Sequence, residues 1–266
     1  MGFVKTRSLV LKRKWEIDMV MQSEQRLAVL IDADNAAAKN LKPIMDEVAK
    51  YGVPTIKHAY GDWAKLGGWK DSLLEIGAVP VQQYAYTTGK NATDSALIIE
   101  AMDILHANNV DGFVIVSSDS DFTPLALRLR ESGKIVYGIG EKKTPPPFIK
   151  ACDKFIYVEI LSSEGAPSAE RGADGGARVV TSGAQIQKKP MSDKNVRFIA
   201  QCIAESSGES GQSPLSSLGS MISKKRPDFD SRNYGYSQLS KLLRAIPRFE
   251  VGGAGSHVWV KDKEAK

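Results

Sequence analysis

Cysteine and histidine are scarce in this sequence, and their scarcity excludes several classes of site. Among 266 residues there are 2 cysteines and 3 histidines. Cys152 and Cys202 are too few for a disulfide framework and lack metal-ligand spacing, so we expect a protein of a reducing compartment. We interpret both cysteines as packing residues. His58, His106 and His257 lie far apart and form no recognisable zinc or catalytic-triad pattern.

Long apolar runs are also absent from the N-terminal segment 1–23. This extension is basic, and its short apolar stretch, Leu9 to Leu11, is too brief for a signal-peptide core or a membrane span. We therefore predict a cytoplasmic protein that does not enter a membrane. No GxGxxG pattern follows the first strand-like run, so a dinucleotide site is unsupported.

Positive charge is unevenly distributed along the chain. Residues 186–266 hold 14 Lys and Arg against 8 Asp and Glu, whereas residues 24–185 hold 17 against 21. A basic segment is typical of a protein that binds a polyanion, so nucleic-acid affinity is expected in the C-terminal part. A solvated lysine-rich surface explains the charge alone equally well.

From Arg26 to about Leu161, apolar runs alternate with segments that carry apolar residues at helical spacing. The runs are LAVLI, PTIKHAY, VPVQQYAY, GFVIV, KIVYGIG and KFIYVEI. Alternation of this kind predicts an α/β fold with a mostly parallel sheet and helices on both faces. Gly52, Gly77 and Gly133 stand where helix C-caps are expected, and Thr123 before Pro124 suits an N-cap.

The texture changes after Leu161. The segment 162–190 is rich in Ser, Gly and Ala without apolar periodicity, which predicts a flexible linker. Beyond it, three amphipathic stretches and the runs RFEV and HVWVK predict three short helices and a hairpin. We therefore expect an extension at 1–23, an α/β domain at 24–161, a linker at 162–190 and a small winged-helix-like domain at 191–262.

Acidic residues follow the predicted strands at one edge of the sheet. Asp32 closes the first strand, Asp119 and Asp121 follow the fourth, and Asp94 opens the third long helix. Ligands of open parallel sheets bind at the carboxyl ends of the strands, where the strand order reverses. Four carboxylates crowded there need a compensating cation, and oxygen ligands suit Mg²⁺ or Mn²⁺. Such a site can hydrolyse a phosphodiester.

Each of these residues also has a local structural explanation. Asp32 can help to cap the following helix, for which Asn35 is a natural N-cap, while Asp94 suits the positive end of its helix and Asp121 suits a turn. All four at one side of the sheet are harder to explain in this way. Three further aspartates are weaker candidates: Asp34, Asp62 and Asp103.

Three blocks in this region, LIDADN, KNATDSALIIEAMDIL and SSDSDFTPLALRLRESGKIVYGIG, resemble the NYN family of PIN-like nucleases over roughly Leu27 to Leu161. The resemblance implies a PIN-like, Rossmannoid core with metal-dependent ribonuclease activity on RNA. It implies that Asp32, Asp94, Asp119 and Asp121 are the acidic catalytic and metal-binding positions. Two further polar residues, Asn35 and Ser118, are implied as supporting groups.

The block RPDFDSRNYGYSQLSKLL carries a second resemblance, to the LOTUS or OST-HTH domain, over about Asp193 to Lys261. Such domains are associated with RNA binding and in some proteins with protein partners. Basic side chains here are candidates for phosphate contacts and two tyrosines for base stacking, although packing beneath the hairpin is an alternative for the tyrosines. The candidates are Lys224, Lys225, Arg226, Arg232, Tyr234, Tyr236, Lys241 and Arg244.

Three functions are compatible with these features. The first is an endoribonuclease whose basic C-terminal domain delivers RNA to the acidic site. The second is a catalytically inactive RNA-binding or scaffold protein with the same domains. The third, a phosphatase that uses DADN as nucleophile and acid, is weakened because the rest of such a motif pattern is missing.

Overall fold

The computed structural model describes residues 24–84, 92–164, 190–208, 211–255 and 257–265. The predicted N-terminal extension and segment 165–189 of the predicted linker lie outside these residues. The first three linker residues, 162–164, belong to a helix that ends at Glu164.

Six strands form the larger sheet, and every neighbouring pair is parallel. The order across the sheet is β3-β2-β1-β4-β5-β6. The strands are β1 (Arg26–Asp32), β2 (Val53–Gly61), β3 (Val79–Gln82), β4 (Gly112–Val116), β5 (Ile135–Gly140) and β6 (Lys154–Tyr157). The predicted parallel α/β fold is confirmed.

The strand order reverses between β1 and β4. These two central strands pair directly, with Ile31 opposite Val116 at their carboxyl ends. Their residues are almost completely buried, as expected for strands covered on both faces. The chain segments that leave β1 and β4 therefore start side by side, one on each side of the switch point.

Helices cover both faces of this sheet. They are α1 (Leu41–Val48), α2 (Lys70–Ile76), α3 (Ala92–Ala107), α4 (Thr123–Glu131), α5 (Pro146–Ala151) and α6 (Val158–Glu164). Helices α3, α4 and α5 share one apolar cluster with Ala28 and Leu30 of β1, while α1, α2 and α6 share another with Val29 and Ile31. Alternation along β1 thus divides the core into two layers.

The predicted helix boundaries can be compared with the structure. Gly133 has φ 78° directly after Ser132, the C-cap of α4, whereas Gly52 lies three residues beyond Ala49, the C-cap of α1. Gly77 adopts a left-handed conformation with φ 62° as the C-cap of α2, as its position in the sequence predicts. Thr123 is the first residue of α4 rather than its cap, which is Phe122. Pro124 still lies in the first turn, where its missing N–H leaves no helical hydrogen bond unmade.

The C-terminal part has its own core. It contains helices α7 (Asp193–Ser206), α8 (Leu215–Lys225) and α9 (Leu239–Arg244) and strands β7 (Ser213–Pro214), β8 (Phe249–Gly252) and β9 (Trp259–Asp262). The strands form an antiparallel sheet in the order β7-β9-β8. The three helices and the hairpin match the prediction, and β7 is an additional short strand.

The C-terminal part contacts the exposed edge of the larger sheet. The Phe155 N–H of β6 donates to the Pro227 carbonyl at 2.9 Å, and the Tyr157 hydroxyl donates to Asp228 at 3.1 Å. An uncovered edge strand presents unpaired backbone groups that invite association with other chains. Pro227 and Asp228 therefore satisfy part of this edge within the same chain.

A buried ion pair joins the two parts on the side of α1. Arg232 donates two hydrogen bonds to the Glu47 carboxylate, at 2.7 and 2.8 Å, and also binds Asp230. The Glu47 side chain is 1% exposed and that of Arg232 is 14% exposed. Hydrogen bonds from Arg232, Lys50 and Tyr51 outweigh the effect of burial and lower the pKa of Glu47 to about 2.

We expect Arg232→Gln to separate the two parts of the chain. Removing one partner of a buried ion pair typically costs about 3–5 kcal/mol. Lys50 and Tyr51 still donate to Glu47, so we expect the lower end of this range. Small-angle scattering should report an expanded particle, and thermal unfolding should split into two transitions. Arg244→Gln is the control, since Arg244 is an exposed residue of α9. An unchanged scattering profile for Arg232→Gln would contradict this account.

Candidate metal centre

Three carboxylates meet at the carboxyl end of the parallel sheet. Asp94, Asp119 and Asp121 each offer one carboxylate oxygen, and these oxygens lie within 4.8 Å of one another. Asp94 and Asp119 are half-buried and Asp121 is exposed. The cluster thus opens to solvent on one side.

Local structure positions each of the three. Asp94 lies in the first turn of α3. Asp119 follows β4 and is the N-cap of a 3-10 turn at Ser120–Phe122, where its carboxylate accepts the Asp121 N–H at 2.9 Å. The turn holds Asp121 close to Asp119, as the alternative interpretation of Asp121 as a turn residue also predicted.

The fourth predicted aspartate, Asp32, lies beside the cluster with both carboxylate oxygens occupied. One oxygen accepts the N–H groups of Asp34 and Asn35 at 3.1 and 3.3 Å. The other accepts the Asn35 side-chain amide at 2.8 Å and the Ser117 hydroxyl at 2.7 Å. Asp32 is fully buried, and these four donors fix the orientation of its carboxylate.

Ser117 links the ends of β1 and β4, and the sequence reasoning missed it. Its hydroxyl donates to Asp32 and accepts the Asp119 N–H at 3.0 Å. Ser118, the predicted supporting residue, instead accepts the Glu141 N–H at 2.8 Å and thereby holds the segment after β5. A Cβ at Gly140 would lie 2.5 Å from the Ser117 carbonyl oxygen, so only glycine fits this approach.

A second link joins the chain after β1 to α3. The Thr93 hydroxyl donates to Asp34 at 2.7 Å, next to Asp94. Asp34 was a weaker candidate on sequence grounds, yet it lies at the rim of the cluster. The sequence offered one indication of this contact, since Thr93 is next to Asp94 and Asp34 is two residues from Asp32. The other two weak candidates take no part in the cluster, since Asp62 pairs with Lys65 and Asp103 is exposed further along α3.

Comparison with known families assigns both parts of the chain. Residues 26–161 match the NYN domain, and residues 191–260 match the OST-HTH/LOTUS domain. The chain belongs to the NYN domain family. NYN domains are of the ribonuclease type and OST-HTH/LOTUS domains bind RNA. Both sequence resemblances are thereby confirmed.

The similar proteins add no activity. An uncharacterized protein of Methanocaldococcus jannaschii is 28% identical over 124 residues, which are 45% of this chain and 49% of that protein. The chain therefore spans about half the length of the curated relative it matches. A protein of unknown function from Vibrio parahaemolyticus has a crystal structure that covers 50% of this chain and 93% of its own, with 18% identity and a TM-score of 0.44.

A solution structure of an uncharacterized protein from Nitrosomonas europaea is 24% identical and has a TM-score of 0.26. It covers 38% of this chain and 94% of its own. Separately, no helix in the described ranges has the length and apolar character needed to cross a membrane.

Burial and the repulsion between carboxylates raise the pKa of two aspartates at this site. Burial, followed by the charges of Asp32, Asp119, Asp121 and Asp34, raises the pKa of Asp94 to about 6. Burial also raises the pKa of Asp32, against the lowering effect of its hydrogen bonds to Asn35 and Ser117. Ionisation of these two carboxyl groups therefore costs free energy in the folded chain, and a bound cation would reduce this cost.

The residues fit a divalent cation of the kind that NYN domains typically use. Three carboxylate oxygens within 4.8 Å of one another supply the hard ligands that Mg²⁺ and Mn²⁺ prefer. Among the described residues, the charges that most affect the pKa of Asp94 are those of other carboxylates, which a bound cation would compensate. Asp94, Asp119 and Asp121 would hold the ion, with Asp32 positioned beside them.

Several of the predicted RNA-binding residues of the OST-HTH/LOTUS domain are engaged by partners within the chain. Arg232 is engaged with Glu47 and Asp230, and the Tyr234 hydroxyl accepts a hydrogen bond from Asn195 at 2.7 Å. Lys225 pairs with Glu205. Arg226, which is half-buried, donates to the same Asn195 at 2.7 Å. Tyr236 is also half-buried, and Lys224, Lys241 and Arg244 are exposed.

We expect Asp94→Asn to stabilise the metal-free protein. For an acid whose pKa rises on folding, from 3.8 to about 6, the cost of ionisation is absent below the lower value and complete above the higher. At pH 7.5 in EDTA, urea denaturation should therefore give the variant about 1–3 kcal/mol more stability. Saturating Mg²⁺ should stabilise the parent but not the variant.

Asp103→Asn is the matched control, because Asp103 lies on the same helix but is exposed and outside the cluster. It should leave both the stability in EDTA and the response to Mg²⁺ unchanged. A parent that is more stable than Asp94→Asn in EDTA would refute the repulsion.

Ser117 and Ser118 provide a second matched pair. Ser117→Ala removes a donor from the buried Asp32 carboxylate and should cost about 1–3 kcal/mol. Because the loss raises the pKa of Asp32 further, the cost should grow as the pH rises through the pKa of Asp32. Ser118→Ala removes only the bond to the Glu141 N–H, so its cost should not vary with pH. Equal pH dependence of the two variants would show that Ser117 does not act through Asp32.

Proposed function

We propose that this protein is a metal-dependent endoribonuclease. Its NYN domain would hydrolyse RNA phosphodiester bonds at Asp94, Asp119 and Asp121, with Asp32 as the buried neighbour. The observation that carries the proposal is the approach of three carboxylate oxygens within 4.8 Å, at the carboxyl edge of a sheet whose family is of the ribonuclease type.

A divalent cation bound here supplies positive charge for the phosphate and for activation of the attacking water. The chain itself contributes position. Asp119 and Asp121 come from one turn and Asp94 from the start of α3, so the ligands converge from two elements. Asn35 and Ser117 hold the Asp32 carboxylate in one orientation, which keeps its negative charge at a constant place beside the ligands.

The OST-HTH/LOTUS domain supports RNA as the substrate. A domain of this kind binds RNA, and in this chain it contacts the NYN domain directly through Pro227, Asp228 and Arg232. RNA bound by the docked domain would be tethered to the NYN domain, which would raise the local concentration of substrate without further contacts at the cluster.

The alternative is an RNA-binding or scaffold protein without catalytic activity. It shares the two domains, and it differs in one respect that an assay can reach. It predicts RNA binding that is independent of metal and no strand cleavage at any concentration of Mg²⁺ or Mn²⁺.

Cleavage of a labelled single-stranded RNA should require Mg²⁺ or Mn²⁺ and should be lost in EDTA. Asp119→Asn should lower the rate by about a hundredfold or more, because it removes a ligand charge while keeping the size of the side chain. The side-chain oxygen that Asp119→Asn retains can still accept the Asp121 N–H, so the turn should persist. Denaturing gels of time courses give the rate, and fluorescence anisotropy gives RNA affinity.

Asp103→Asn, purified in the same way, should cleave at the parental rate. Equal cleavage by the parent and Asp119→Asn would identify a contaminating nuclease and refute the assignment. If both proteins bind RNA and neither cleaves it, the binding-protein alternative is supported instead.

A further inference from the structure

A basic groove lies between the NYN and OST-HTH/LOTUS domains. Its volume is about 620 Å³. Five cationic side chains and one carboxylate, Asp228, are among its lining residues. The cations are Lys142, Lys150, Lys194, Lys225 and Arg226.

Both domains contribute to this groove. Lys142 and Lys150 belong to the NYN domain, in the segment after β5 and in α5, whereas Lys194, Lys225 and Arg226 belong to the other domain. Neither domain alone carries the full set. The groove therefore depends on the docking that Pro227, Asp228 and Arg232 maintain.

Three of the cations are available to a ligand. Lys142, Lys150 and Lys194 are exposed, and no carboxylate in the described part of the chain lies within ion-pair distance of their ammonium groups. The other two are more constrained. Lys225 pairs with Glu205, and Arg226 lies over the Phe198 ring at 5.3 Å and donates to Asn195.

One wall of the groove connects to the metal centre. Lys142 follows Glu141, whose backbone N–H donates to the Ser118 hydroxyl at 2.8 Å. Ser118 immediately precedes Asp119 of the cluster. The groove and the acidic cluster are thus linked through the segments that follow β4 and β5.

We propose that this composite groove binds the sugar-phosphate backbone of single-stranded RNA and directs it to the metal centre. The choice of RNA as the ligand rests on the proposed function. Lysine ammonium groups act as point charges for phosphate, and they carry no base specificity. Apolar atoms of Ile149 and Phe198 line the same space and offer contact surface to unpaired bases.

The test compares two triple variants in the full chain, each carrying Asp119→Asn and assayed in EDTA, so that cleavage does not enter the measurement. The groove variant is Lys142→Gln, Lys150→Gln and Lys194→Gln. The control variant is Lys70→Gln, Arg128→Gln and Lys263→Gln, which removes the same charge from exposed residues that do not line the groove. Anisotropy of a labelled single-stranded RNA is measured from low to moderate salt.

The groove variant should bind about tenfold more weakly or worse at low salt, and its plot of log affinity against log salt should flatten by about 2, since each lost phosphate contact removes about 0.7. The control should stay within about threefold of the parent. Equal affinity of the groove variant and the parent, a loss confined to the control, or a parent that binds polyglutamate but not RNA would each overturn the groove. Failure of metal-dependent cleavage would instead affect only the proposed nuclease activity.

Discussion

Repulsion between carboxylates at the carboxyl edge of the parallel sheet is the constraint on which the remaining features depend. Direct pairing of β1 with β4 forces Asp32 and Asp119 towards each other, because parallel neighbours end at the same edge. The start of α3 adds Asp94, whose pKa is raised to about 6 by burial and then by the charges of the neighbouring carboxylates. The sheet that stabilises the domain therefore also brings mutually repelling carboxylates together at its edge. Such a cluster destabilises the fold when no cation is bound, and it is suited to binding a cation.

Neighbouring polar groups reduce this cost without removing it. Asp32 receives four hydrogen bonds, whereas the three clustered carboxylates face one another with an opening to solvent. This difference has a physical basis, since a buried carboxylate needs hydrogen-bond donors. Ser117 serves both requirements, because its hydroxyl donates to Asp32 while it accepts the N–H of Asp119.

Much of this arrangement could be predicted from local patterns. Apolar runs locate all six strands, and strand ends followed by Asp32 and Asp119 locate the site, because parallel topology converts sequence position into a common edge. The role of Ser117 could not be predicted, since two adjacent serines differ only in the direction in which the strand pleat points them. The Glu47–Arg232 pair was equally hidden. Its partners are 185 residues apart, and Arg232 within a basic segment was interpreted as a phosphate contact.

That buried pair changes how the charge of the chain should be interpreted. Residues 186–266 are basic and residues 24–185 acidic, which suggests a simple separation between an RNA-binding tail and an acidic body. The contact between the domains changes this distribution of charge. Arg232 is paired with Glu47 and is therefore not available to a ligand. Lys142 and Lys150 of the acidic part line one groove together with cations of the basic part. An acidic cluster alone repels RNA. In the groove that we propose, cations from both domains would attract the phosphate backbone that the acidic cluster repels, so the contact between the domains is part of the proposed RNA-binding surface.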